Sequence, residues 1–191
     1  GLTVWNFFNS TILHSVKIIK NNKSIVAKVY LPKYILIITD MMVNGFKMVI
    51  SFVITFVTML IIKVPFSINV FFIIPILINL TLTTFSCAVF LMHIGVYVQD
   101  LANFISIVMR LLFYFTGIMY DIQKRIPTPY NYWVSRLNPI ACYIIQIRDA
   151  LLHGTSSHPI MLALWFVFGL VTSILGVSLV YKSENNYVKV I

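Results

Sequence analysis

The chain has 191 residues, 60% hydrophobic and 10% charged, with a mean hydropathy of +0.94, whereas soluble domains are roughly one quarter charged. That excludes a water-soluble globular domain; since one membrane crossing takes roughly 20 apolar residues, the expected fold class is all-α, a polytopic integral membrane protein. A net charge of +9, from 14 Lys and Arg against 5 Asp and Glu, would suggest nucleic acid in a soluble chain. In a membrane protein such an excess sets topology, basic residues being kept on the cytoplasmic side, and no nucleic-acid partner is expected.

Residues 1–19 read as a first span, with Trp5, Phe7 and Phe8 at one end and Lys17 at the other, an aromatic belt and a snorkelling lysine. No basic n-region precedes it, so it is not a secretory signal, and the sequence is expected to start inside a longer protein. Residues 17–33 carry Lys17, Lys20, Lys23, Lys28 and Lys33, the densest basic stretch, which places them in the cytoplasm. In the second span, 34–62, Asp40, Asn44 and Lys47 recur at steps of four and three and share one helix face. Residues 64–99 contain no Asp, Glu, Lys or Arg; Pro65 and Pro75 predict an irregular start, then a third span over 72–97. Residues 101–120 form a fourth, with Arg110 near its middle.

The composition then changes. Residues 121–159 hold Pro127, Pro129, Pro139 and Pro159, and two short amphipathic helices are predicted, 130–137 and 140–152, broken at Asn138-Pro139. A last span covers 160–181, its small face of Gly169, Ser173 and Gly176 suited to close helix packing, and a polar tail of residues 182–191 follows. Five spans with 17–33 inside put the tail inside too and 121–159 outside. The short helices of 121–159 are expected to dip into the outer membrane face as a re-entrant gate.

Catalysis is poorly supplied. Glu184 is the one glutamate, and Asp40, Asp100, Asp121 and Asp149 show no pairing that would divide acid and base roles. His14, His93, His153 and His158 lack metal-ligand spacing, and Cys87 and Cys142 lie in separate segments and form neither a disulfide framework nor a metal cluster. No GxSxG or P-loop is present, so no cofactor is expected in this chain and any drive by ATP must come from a partner. Intramembrane charge is the sharper signal, because an ionised side chain at the bilayer centre costs roughly 3 kcal/mol or more and usually faces a pathway. Lys47 either snorkels or faces such a path; Arg110 is expected to face it. Two interior cations beside one acid, Asp40, suit an anionic group such as a phosphate. Tyr114, Phe115, Tyr120, Tyr130, Tyr132, Trp133 and Tyr143 crowd the region that follows. They form either an interfacial belt or a set of ring faces over which a sugar chain slides.

The order of these stretches is similar to that of a known family. GLTVWNFF at 1–8, IVAKVYLPKYIL at 25–36, VQDL at 98–101, FYFTGIMYDI at 113–122, LNPIACYIIQIRDALLHG at 137–154 and YKSENNYVKVI at 181–191 together resemble the membrane permease of type-2 ABC exporters. The branch is the one that exports O-antigen, teichoic acid and related bacterial surface polysaccharides. Two positions depart from it: Gln99-Asp100 stands where members carry Arg-Asp, and Thr116-Gly117 stands where they carry Ser-Pro, which suggests a less kinked outer end of that span.

The resemblance implies six spans in the intact protein, one of them and an interfacial helix preceding Gly1. It also implies a homodimer of permeases, two cytoplasmic P-loop ATPase subunits that bind the ATP and Mg, and a lipid-linked glycan substrate. The location would be the bacterial cytoplasmic (inner) membrane, in contact with membrane lipid. The substrate path would then involve Asp40, Asn44, Lys47, Arg110, Tyr114 and Tyr120, and the outer gate Tyr132, Trp133, Asn138, Pro139 and Arg148. The cytoplasmic coupling loop, 17–33, would engage the ATPase through Lys23, Ile25, Val26, Lys28, Val29 and Tyr30, with Asp100. Ile25, Val26, Val29 and Tyr30 can form one apolar helical face, although a membrane-surface helix drawn to anionic lipid shows the same pattern. The rival functions are a type-2 ABC permease for a drug or another lipid, and an integral membrane enzyme of cell-wall glycan assembly.

Overall fold

A computed structural model describes residues 1–28, 32–63, 68–120, 122–125, 127, 130–153 and 159–190. Every regular element among them is helical: α1 (Leu2–Asn21), α2 (Lys23–Lys28), α3 (Tyr34–Ile61), α4 (Ile73–Tyr97), α5 (Leu101–Phe115), α6 (Ile122–Arg125), α7 (Tyr130–Leu137), α8 (Pro139–Arg148) and α9 (Pro159–Val190). A 3-10 turn, Ile68–Phe72, leads into α4, and a π-type turn, Asp149–His153, extends α8. Three helical stretches, Tyr34–Ile61, Val70–Tyr97 and Pro159–Glu184, are long and apolar enough to cross a membrane. α1 has 20 residues, and α5 is an apolar helix of 15.

Prolines set several of these limits as expected. Pro75 sits in the first turn of α4, where a missing N–H costs nothing, and Pro139 opens α8 directly after the break at Asn138. Two expectations need correction. The fourth helix ends at Phe115 and not near 120, because Thr116 caps it and Gly117 turns the chain at φ +66, a left-handed position that favours glycine at a helix end. Thr116-Gly117 thus ends the helix, where the expectation was a less kinked continuation. Arg110 accordingly lies two residues beyond the midpoint of α5, about one and a half turns from its C-terminal end. The second correction concerns 182–190, which continue α9 as helix; Glu184 and Tyr187 are buried there, and burial pushes the Tyr187 phenol up from its ordinary value.

The bundle is organised around α4. Leu80, Ala88, Val89 and Met92 are essentially inaccessible, with α1 against one side and α9 against the other. In lipid, helices gain little from hiding apolar surface from one another, so close backbone approach does the packing. Gly95 lets α1 in: a β-carbon there would stand 2.2 Å from the Val16 carbonyl oxygen. The small face of α9 does the same on the other side, where β-carbons at Gly169 and Gly176 would meet Leu82 at 3.2 Å and Val89 at 3.0 Å. Val4, Trp5, Phe8, Ile12, Val16 and Ile19 form the buried face of α1. The opposite faces of α3 and α9 expose large apolar side chains such as Phe46, Ile54, Leu164, Val171 and Ile174. A soluble protein rarely leaves so much apolar surface bare, and here it is the surface a lipid bilayer covers.

Gly95→Ala forces two backbones apart, at an overpacking cost of about 1–3 kcal/mol. Gly176→Ala meets side-chain atoms alone, Val89 Cγ1 at 3.0 Å and the Phe90 ring at 3.5 Å, which need give by only a few tenths of an ångström. Heating the detergent-purified protein and following its monodisperse fraction by size exclusion is expected to show a clearly lower midpoint for Gly95→Ala and a near-normal one for Gly176→Ala.

Candidate functional site

The polar and charged residues that the sequence singles out in α3 and α5 lie on the two flanks of α1. Asp40, Asn44 and Lys47 all lie on the side of α3 that meets α1. His14 Nδ1 donates to Asp40 Oδ1 at 3.1 Å, and Asn44 Nδ2 donates to Asp40 Oδ2 at 3.1 Å and to Thr11 Oγ1 at 3.2 Å. Farther along the same seam a small cleft of about 170 Å³ is lined by Asn6, Ser10, Asn44, Lys47 and Ser51. Asp40 and Asn44 thus help to join α1 to α3, while Lys47 is exposed and lines the cleft with Asn44.

Arg110 lies across α1 from this seam. Together with Trp5, Asn9, Leu13, Ser106 and Tyr114 it lines a groove of about 360 Å³ between α1 and α5. The structure therefore does not bring the two interior cations together; α1 separates them. Trp5 also walls a second, almost wholly apolar groove of about 440 Å³, bounded by Phe8, Phe115, Trp133 and Pro139 among others. The ring of Trp5 packs edge-on against Phe113 at 5.6 Å between centroids. Through that indole, a cationic polar groove adjoins an aromatic one.

Of the residues expected at the outer gate, Trp133, Asn138 and Pro139 line the aromatic groove, whereas Tyr132 and Arg148 do not. Asn138 Oδ1 accepts from the N–H groups of Ile140 and Ala141 at 3.1 and 3.3 Å, the cap that starts α8. Its Nδ2 donates to Thr116 Oγ1 at 3.1 Å. At the other end of α8, Arg148 donates to the Gly117 carbonyl at 3.4 Å. Both ends of α8 are thus tied to the two residues that terminate α5. Ile140 to Ile147 are all buried. On α7, Tyr132 and Trp133 are exposed, with the Arg136 guanidinium 3.5 Å from the Tyr132 ring centre. Tyr120 donates to the Tyr114 carbonyl at 2.7 Å, closing the turn beyond α5, while the Tyr114 ring stays exposed beside Arg110.

Sequence reasoning missed a buried polar knot. Tyr143 Oη donates to Asn79 Oδ1 at 3.0 Å and shares a hydrogen bond with Thr83 Oγ1 at 2.8 Å, and Asn79 Nδ2 donates to the Leu162 carbonyl at 2.6 Å. It joins α4, α8 and α9. The available signal was the spacing of Asn79 and Thr83, one helical turn apart in an otherwise apolar run. Asn6, Asn9 and Ser10 were likewise passed over, although they supply the polar walls of both clefts beside α1.

On the proposed coupling segment, Lys23 and Asp100 are exposed and Val26 is buried. The side chains of Ile25 and Lys28, and Val29 and Tyr30 entirely, lie outside the described residues. No group of three or more metal-ligating side chains occurs among the described residues.

Because Asn138 caps α8 and bonds Thr116, Asn138→Ala is expected to loosen α8 by about 1 kcal/mol, whereas Asn138→Asp keeps the cap. The buried Cys142 reports it: in a Cys87→Ser background, alkylation of Cys142 by a maleimide should be clearly faster in the Ala variant and near normal in the Asp variant.

The family profile described as "ABC-2 type transporter" matches residues 1–152, from the start of α1 to the turn that follows α8. Two relatives from Klebsiella pneumoniae, each an "O-antigen export system permease protein RfbA", are 24% and 22% identical to this chain over 192 aligned positions. Each alignment spans 100% of this chain and 73% of the relative. With a buried helical core, long lipid-facing helices and a family match over most of its length, the chain belongs to the ABC-2 type transporter family.

Proposed function

We propose that this chain is the permease half of an ATP-driven exporter that carries a lipid-linked cell-surface polysaccharide, such as O-antigen or teichoic acid, across the bacterial cytoplasmic membrane. The names of the K. pneumoniae relatives support the polysaccharide class. One observation from the structure carries the mechanism: the Arg110 groove and the aromatic groove share Trp5. An amphipathic anion needs such a pair of surfaces. Its phosphate meets a guanidinium, which binds phosphate oxygens through paired donors, while its lipid chain or sugar faces slide along Trp5, Phe8 and Trp133 without a fixed hydrogen-bond register. Lys47 offers a second cation on the opposite flank of α1.

On this reading α1, α3, α4, α5 and α9 are the five spans. α5 rises about 22 Å, short of the roughly 30 Å hydrocarbon core, and the turn at Thr116–Gly117 with α8 completes the layer at the outer face. The stretch 17–33 and the end of α9 face the cytoplasm, and α7 and α8 form the outer gate. Two copies of the permease enclose the path, and two P-loop ATPase subunits bind ATP and Mg and act on α2. The chain supplies a path and a lever, and it makes or breaks no covalent bond.

Expression with a His-tagged P-loop ATPase is expected to recover both subunits in equal amounts. Arg110→Ala is expected to lower surface polysaccharide about tenfold, the effect of losing one charge-assisted contact, at an unchanged amount of protein in the membrane. Arg110→Lys should retain part of the export. Normal export by Arg110→Ala at equal protein level would remove that residue from the path. Glycan-modifying activity of the purified chain alone would show an enzyme instead.

A further inference from the structure

Glu184 is the sole glutamate of the sequence and follows the last span, where a solvated side chain is the ordinary expectation. It is instead 6% exposed, and its Oε1 accepts from the backbone N–H of Lys33 at 2.8 Å. Lys33 is the residue that caps the N-terminus of α3. The first N–H groups of a helix have no partner within it. Here Ile35 N–H reaches Pro32 O and Leu36 N–H reaches Lys33 O, and Glu184 takes the N–H of Lys33 itself. A carboxylate at that place is also favoured by the helix dipole.

One turn further on, Tyr187 lies on the same face of α9 and is fully buried. Its Oη is 2.6 Å from His93 Nδ1, and its ring packs against His93 and Tyr97 at 5.9 and 6.2 Å between centroids. His93 and Tyr97 close the C-terminal end of α4. The end of α9 is therefore fastened to the last turn of α4 and to the residue that caps α3, just past the segment that contains α2. α3 runs 28 residues from this point, so whatever holds its start governs the whole helix.

We propose that the C-terminal end of α9 is a strut that fixes Lys33, the residue that caps α3 beyond the segment carrying α2, with Glu184 as its positioning residue. The proposal rests on the reading of α2 as the element that meets the ATPase. A displacement of α2 reaches α3 at Lys33, and through Glu184 it reaches α9 and the end of α4 at once, so the two sides of the bundle move together. Without the strut, a displacement of α2 is not passed to α9 and the end of α4, and ATP is spent without transport.

The test uses the assembled permease and ATPase complex. ATP hydrolysis is measured on the purified complex in nanodiscs, and export by periodate and hydrazide labelling of glycan on intact cells. Glu184→Ala is expected to raise the ratio of hydrolysis to export about tenfold, the effect of one buried charge-assisted hydrogen bond, with the ATPase still bound. Glu184→Gln keeps an acceptor oxygen facing Lys33 and should restore most of the ratio, which a merely structural defect would not follow. An unchanged ratio in Glu184→Ala overturns the strut. If that variant assembles too little complex, Tyr187→Phe, which removes one hydroxyl, carries the test. A rise of about twofold supports the strut and an unchanged ratio overturns it. A photo-cross-linker at Ser24 separates the two readings. A cross-link to the ATPase with unchanged ratios overturns the strut alone, while no cross-link in the otherwise wild-type chain overturns the coupling role of α2 on which the strut depends.

Discussion

The close contact of α4 with α1 is the constraint on which the remaining geometry depends. A helix can approach another to the point where a β-carbon would overlap a carbonyl oxygen only if one partner has none, and Gly95 meets that condition against Val16. Once α1 is drawn against α4, its two flanks are left facing α3 and α5. Both clefts that contain an interior cation arise in this way, as the seams of one helix held too tightly to fill them. The small face of α9 plays the matching part on the opposite side of α4, so the central helix is gripped along most of its length.

Polar groups along the helices fall into two kinds, and the difference is informative. Asn79, Thr83 and Tyr143 satisfy one another at the meeting of three helices, and Asp40, Asn44, Thr11 and His14 do so along one seam. Such knots fix register, because a shifted helix would leave buried donors and acceptors unpaired in a medium without water. Lys47 and Arg110 belong to the other kind, cations that face clefts lined by amides and hydroxyls. The same backbone thus separates groups that hold the bundle together from cations left exposed beside its clefts.

Several features were legible in the sequence because a local rule fixes them. Pro75 and Pro139 mark the starts of α4 and α8, and the spacing of Asp40, Asn44 and Lys47 places them on one face of α3. The small series Gly169, Ser173 and Gly176 marks the face that α9 turns to α4, and the same register continues through Val180, Glu184 and Tyr187. That continuation was masked by polar composition, which reads as a solvated tail. The end of α5 was misjudged because the run stays apolar through Met119 and the signal is a single glycine in a left-handed conformation. The side of α1 on which each cation falls was not legible at all, since helix pairing depends on residues far apart in the chain.

The aromatic groove has one more property. The chain has three tryptophans: Trp5 and Trp133 wall that groove, and Trp165 donates its indole N–H to the Arg136 carbonyl at 3.2 Å, joining α9 to the end of α7. All of the indole emission of this chain therefore originates around the α7–α8 region. Its colour and its access to a quencher are set by how α7 and α8 sit against α1 and α9. The molecule carries its own optical record of that arrangement, and no dye or engineered cysteine is needed to read it during a transport cycle.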